Sequence, residues 1–191
     1  MLGWTSDPLS GVTMARRTVV CAAVLIGSLL TCPAGAAAAR GGGPNPLEGL
    51  GFLLGTWGPL KSDPSGATAG TATFTEGLQR RVMIRTSFAV YPATAKAGET
   101  RHDDLMIIYA PDGGGIRADY YDNEGHVIRY AVTVPAAGEA VFVSEPAANA
   151  PRYRLWYRLS PDGALRGTFE IAPPGRPESF GVYLTWGSRK Q

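Results

Sequence analysis

Cysteine, histidine and sustained helical periodicity are what this 191-residue sequence has least of. Its two cysteines, Cys21 and Cys32, both fall within the first 40 residues. Everything downstream is therefore without a disulfide framework, a cysteine-ligated metal or a thiol nucleophile, and must be stabilised by packing. The two histidines, His102 and His126, confine imidazole chemistry to one neighbourhood. There is no zinc-binding helix motif, nucleophile elbow or dinucleotide fingerprint. Gly113-Gly114-Gly115 resembles a phosphate loop by glycine count alone, lacking the Lys-Ser/Thr and helix that such loops serve, and reads as a hairpin turn.

Net charge is also missing. Residues 1–40 hold three of the 18 basic side chains (Arg16, Arg17, Arg40) and one of the 16 acidic ones (Asp7), leaving fifteen of each. A neutral remainder excludes the basic surfaces that nucleic acid or an anionic membrane would call for. The apolar run Val19–Leu30, interrupted by Gly27, is shorter than the roughly 20 residues of a membrane span. With Arg16-Arg17 before it and the small residues of Pro33–Ala39 after it, this is the pattern of a secretory signal. The expectation is a signal peptide over 1–39, with Met14 as a second candidate start, a Gly/Pro tether over 40–46 and one domain over 47–191. The mature protein would be secreted or periplasmic, without a transmembrane segment. A lipoprotein anchored through Cys32 is a minor alternative, set back by Thr31, which is unusual before a lipidated cysteine.

What the chain does contain is period-two alternation. After Leu47, Leu50 and Leu54, spaced as one face of a short helical turn, come runs of alternating apolar residues cut by Gly, Pro, Asp and Asn clusters. Strands are expected near 55–58, 68–76, 79–91, 103–110, 115–122, 126–134, 139–144, 152–160, 164–172 and 179–188. The fold class is all-β: a single antiparallel up-and-down barrel of about ten strands preceded by a short helical turn.

Turn chemistry sets register. Ser160-Pro161-Asp162-Gly163-Ala164 suits a three-residue loop with a left-handed glycine, so 160 faces 164 and Tyr157, Leu155 and Tyr153 face Gly167, Phe169 and Ile171. The same rule makes 122 face 126 and 110 face 114. His102, Asp122 and His126 then form one transverse row at the rim, above Asp104 with Tyr120 and Met106 with Tyr130. This even-numbered face becomes more apolar with depth and is taken as the interior. On the strand 79–91 the apolar even residues Val82, Ile84, Phe88 and Val90 are taken as interior, with Arg81 and Arg85 solvated. Asp103 points away from Asp104 and cannot share a proton with it.

The segment Phe52–Gly58, FLLGTWG, resembles the first strand of lipocalin-like (calycin) barrels, especially the ten-stranded nitrobindin-like group. His102–Tyr130, PRYRLWYRL, FEIAPPG and ESFGVYL resemble an uncharacterised bacterial family of exported lipocalin-like proteins. The resemblance implies a structural pair in which a late basic residue, Arg189 by position, covers Trp57. It also raises haem binding of the nitrobindin type, but no histidine follows His126, so His102, His126 or a tyrosine such as Tyr183 would have to supply the axial ligand.

Three functions follow. The first is a barrel that binds a small apolar or amphipathic molecule, using His102, Asp104, Met106, Tyr120, Asp122, His126 and Tyr130. The second is an enzyme in which His102, Asp122 and His126 perform acid/base or metal-assisted chemistry. The third is an interaction protein with a filled core. No cofactor or metal is predicted for the first; haem or a divalent metal belongs to the alternatives.

Overall fold

The computed structural model describes residues 45–191 apart from Ser62 and Lys96. The expected signal peptide and most of the tether lie outside these residues. A 3-10 helix, Glu48–Leu53, precedes ten strands: β1 (Gly55–Pro59), β2 (Ala69–Gly77), β3 (Val82–Tyr91), β4 (Thr100–Tyr109), β5 (Ile116–Asp122), β6 (Val127–Thr133), β7 (Glu139–Ser144), β8 (Arg152–Leu159), β9 (Ala164–Ala172) and β10 (Gly181–Lys190). Each strand pairs antiparallel with the next, and β10 returns to β1, closing the barrel. This is the expected architecture, consistent with a lipocalin-like (calycin) barrel, and closure leaves no open sheet edge. Among the described residues no helix is long and apolar enough to cross a membrane.

The β8–β9 hairpin shows how local chemistry writes the sheet. Gly163 takes φ +78°, its N–H donates to Ser160 O at 2.9 Å, and Ser160 N–H donates to Ala164 O at 2.8 Å. Leu155, Tyr157 and Leu159 consequently oppose Phe169, Gly167 and Leu165, as the turn rule requires. Tyr157 and Leu155 are buried inside. Outside, the Arg158 guanidinium lies 4.1 Å from the Trp156 ring centroid.

One end of the barrel is solid. Leu50 and Leu53 of the 3-10 helix are fully buried, and the Trp57 indole N–H donates to Leu53 O at 2.7 Å, tying the helix to β1. Phe74, Tyr157, Phe142 and Tyr130 form a chain of edge-to-face contacts with centroids 5.7, 5.9 and 6.1 Å apart. Such pairs add about 0.5–1.5 kcal/mol each beyond area burial. The basic side chain over Trp57 is Lys190, with Nζ 5.7 Å from the ring centroid. Arg189, expected there, instead donates to Asp162 O at 3.1 Å on the surface. The parity of β10 explains the correction: Trp57 is paired with Lys190, and Arg189 with Gly58.

Two other expectations are corrected. In β3 it is the odd residues that face inward: Met83 and Arg85 are buried, whereas Val82, Ile84, Phe88 and Val90 are only half-buried. Arg85 is paired with Met106 and Ser87 with Asp104, so these residues share the inward parity of β4. The outer Phe88 is covered by the Arg101 guanidinium at 4.0 Å. Secondly, β4 and β5 are displaced by two residues from the expected register: Asp104 opposes Asp122, and Met106 opposes Tyr120. Gly114 N–H donates to Pro111 O, and pairing resumes only beyond the glycine run, where side chains return to stabilise a strand. A shift of two keeps every side chain on its face but moves His102 out of the Asp122 row.

Candidate functional site

Opposite the solid end the barrel is hollow. A cavity of about 830 Å³ opens at the end formed by Tyr91, Thr100, Asp122 and Tyr153. Tyr120, Tyr130, Tyr153, Tyr157, Phe169 and Trp186 contribute to its wall, and Tyr153 stacks on Phe169 at 5.7 Å with the planes 12° apart. The expected residues His102, Asp104, Tyr120, Asp122, His126 and Tyr130 all line this space. Met106, by contrast, is fully buried in the core cluster and does not belong to the cavity wall.

A continuous polar chain descends from the mouth to the floor. His126 Nδ1 is 2.8 Å from Asp122 Oδ2, and the backbone N–H groups of Glu124 and His126 donate to Asp122 Oδ1 at 3.0 and 2.9 Å. Burial alone would raise the pKa of Asp122, but the backbone N–H and ring of His126 and the N–H of Glu124 outweigh it, holding the carboxyl below its ordinary value. The Tyr120 hydroxyl donates to Asp122 Oδ2 at 3.2 Å and meets His102 Nε2 at 3.0 Å. The other ring nitrogen, Nδ1, lies 3.0 Å from Glu124 Oε1. A carboxylate only accepts, so Nδ1 carries the proton of that bond, and the single Tyr120 proton is shared between Asp122 and Nε2 as alternative acceptors. Burial first, and then the Asp104 carboxylate, push the Tyr120 phenol well above its usual value.

Deeper still lies Arg85. Its Nη2 donates to both oxygens of Asp104 at 2.7 Å, and its Nη1 donates to the Tyr157 hydroxyl at 2.6 Å. Ser87 Oγ adds a 2.7 Å bond to Asp104 Oδ2. Both members of the pair are nearly closed off from solvent, with side-chain exposures of 9% and 3%. Burial opposes the Arg85 charge, but Asp104 and the neighbouring tyrosines more than restore it, so the guanidinium stays protonated. Burial likewise lifts the Tyr157 phenol to about 12, although Arg85 works against the rise.

No protein-family model matches this chain, and no curated protein sequence matches it. The chemistry is accordingly read from the side chains themselves. The structure brings His126 against Asp122 as expected, but His102 reaches Asp122 only through Tyr120 and lies 3.8 Å from Asp104. Among the described residues no group of three or more His, Cys, Asp or Glu is placed to hold a metal ion. Asp103, as expected, leaves the interior and pairs with Arg101 at 2.8 Å on the outer face.

Sequence reasoning missed Arg85, Ser87 and Glu124. Glu124 follows from the two-residue shift, which puts it level with His102. Arg85 and Ser87 depend on the parity of β3 against β4, and the loop between Tyr91 and Thr100 carries no turn signature to set it. The missed signal was chemical: a strand with one apolar and one mixed face can turn the mixed face inward when the interior is a cavity.

Proposed function

We propose that the protein is an exported binding protein that holds a small apolar or amphipathic molecule inside its barrel, without catalysis. The observation that carries this reading is the cavity: about 830 Å³ within a closed barrel, with six aromatic side chains in its wall and a polar chain descending one side. Binding sites are typically pockets of ~300–1,000 Å³ with a few placed polar groups. Residues 1–39 would act as the signal peptide, on the pattern of Arg16-Arg17, the apolar run Val19–Leu30 and the small residues Pro33–Ala39.

Haem stands outside this proposal. Both ring nitrogens of His102 are engaged by Glu124 and Tyr120, His126 is held at the mouth by Asp122, and Tyr183 is largely exposed. Of these only His126 keeps a ring nitrogen unengaged among the described residues, and its side chain is 56% exposed at the rim.

Native mass spectrometry of the protein purified from its own source tests the proposal. A retained organic mass that denaturation releases is the expected result. Binding of the uncharged dye Nile red gives a second readout. Ala89 lines the cavity near the mouth, and Ala89→Trp should abolish dye binding while the barrel stays folded. Undiminished binding in that variant would place the dye elsewhere and sink the interior site.

A further inference from the structure

The two arginines bordering the cavity each already face a carboxylate, and its other carboxylates are already hydrogen-bonded. Arg85 faces Asp104, Arg101 faces Asp103, His102 faces Glu124 and His126 faces Asp122. Asp63, also on the wall, is engaged by the Ser65 hydroxyl and by the Gly187 N–H. An anionic head entering this space would find no unmatched cation and would lie against the buried carboxylates of Asp104 and Asp122. A cationic head seated at Tyr130 would lie within the field of the Arg85 guanidinium. Either would be desolvated without compensation, which is costly in a low-dielectric interior.

Uncharged hydrogen-bonding capacity, in contrast, is left over. Tyr130 is 2% exposed and lines the cavity, yet its hydroxyl makes no hydrogen bond among the described residues. It is not among the buried side-chain atoms shut away from a water-sized sphere, so the only space open to it is the cavity. The indole of Trp186, another wall residue, makes none either. Arg85 Nε also lacks a partner, but with less than 1 Å² accessible it is out of reach of any ligand atom. A buried hydroxyl normally finds a partner, and here the partner must come from within the cavity. A phenol whose ionisation is suppressed by burial and an indole N–H are both donors, so the complement is an acceptor.

Resting on the interior-binding reading above, we infer that the cavity selects an uncharged amphiphile: a flat apolar body whose ketone, ester or amide carbonyl accepts from the Tyr130 hydroxyl. The paired arginines and the carboxylates around it discriminate against a carboxylate head.

Calorimetric titration with naphthalene, its methyl ketone and its carboxylate tests this on the wild type, Tyr130→Phe and Asp104→Asn. The ketone should bind about tenfold more tightly than the carboxylate, and Tyr130→Phe should cost the ketone about five- to tenfold while leaving naphthalene unchanged. Asp104→Asn, which leaves Arg85 unmatched, should move the preference toward the carboxylate. If that variant fails to fold, Tyr130→Phe decides alone, since it removes one oxygen without changing the packed ring. A carboxylate that binds the wild type as tightly as the ketone overturns the inference. So does a Tyr130→Phe variant with unchanged ketone affinity, for the hydroxyl then serves water only. If naphthalene itself does not bind, the interior-binding reading fails and takes the inference with it; if naphthalene binds and the head group makes no difference, the inference falls alone.

Discussion

A guanidinium enclosed by a barrel must have its charge matched where it lies, and Asp104 does this for Arg85 with both oxygens at 2.7 Å from Nη2. Removing one partner strands the other charge in the interior. Asp104→Ala should therefore destabilise the protein by about 3–5 kcal/mol, read as a lower denaturant midpoint at unchanged slope. The double variant Arg85→Met with Asp104→Leu removes both charges at similar volume and should recover most of that loss. A double variant as unstable as Asp104→Ala would show that the pair stabilises through more than mutual compensation. Asp122 makes a separate claim. Its folded pKa is depressed below the ordinary 3.8, so it contributes stability that is present above that value and is lost as pH falls through the lower folded value. Acid unfolding below about pH 4 should accordingly be shallower in Asp122→Asn, which has no such proton to take up. Identical acid limbs in the two proteins would remove Asp122 from the pH response.

At the scale of the element, the hairpins separate what a sequence discloses from what it withholds. Ser160–Ala164 disclosed its register because Pro, Asp and Gly sit at the positions that a type I turn with a left-handed glycine demands. Asp122–His126 was legible from Gly125, which takes the corresponding left-handed position at φ +89°. The turn after Tyr109 was not: it has the same Pro-Asp-Gly, yet its bond runs from Gly114 N–H to Pro111 O, one residue on from the Ser160 pattern, and with two further glycines following, tertiary pairing selects the register. Because the error was two residues, the interior face survived and the row changed. The β3 error was one of parity, for which no turn residue gave a guide, and it hid Arg85. Gly167 offers an element-scale test. A Cβ there would lie 2.0 Å from Trp186 Cε2, so this glycine lets the indole lie across the β9 backbone. Gly167→Ala should displace the ring, destabilise the barrel by about 1–3 kcal/mol and shift tryptophan emission. Unaltered stability and emission would show that the indole does not depend on that contact.

The molecule as a whole is a closed ring of strands, and a ring opens where it is least held. β1 is the shortest strand and meets β10 through three pairs, Trp57 with Lys190, Gly58 with Arg189 and Pro59 with Ser188, flanked by the bonds Gln191 N–H to Thr56 O and Leu60 N–H to Gly187 O, both 2.9 Å. β3 and β4, by contrast, are paired along their whole lengths from Val82 with Tyr109 to Tyr91 with Thr100. Trp57 is buried and anchored to Leu53, which holds the closed end of β1, so this short seam separates more readily toward its other end, beside the cavity. Local openings expose amides in proportion to how little holds them. Hydrogen exchange should therefore be faster along Gly187–Lys190 than along Met83–Ser87, and a ligand filling the cavity should slow the first segment more than the second, since it adds contacts across the seam. Equal protection of the two segments, with or without ligand, would mean that the barrel opens as one cooperative unit and that the seam is no weaker than the rest of the wall.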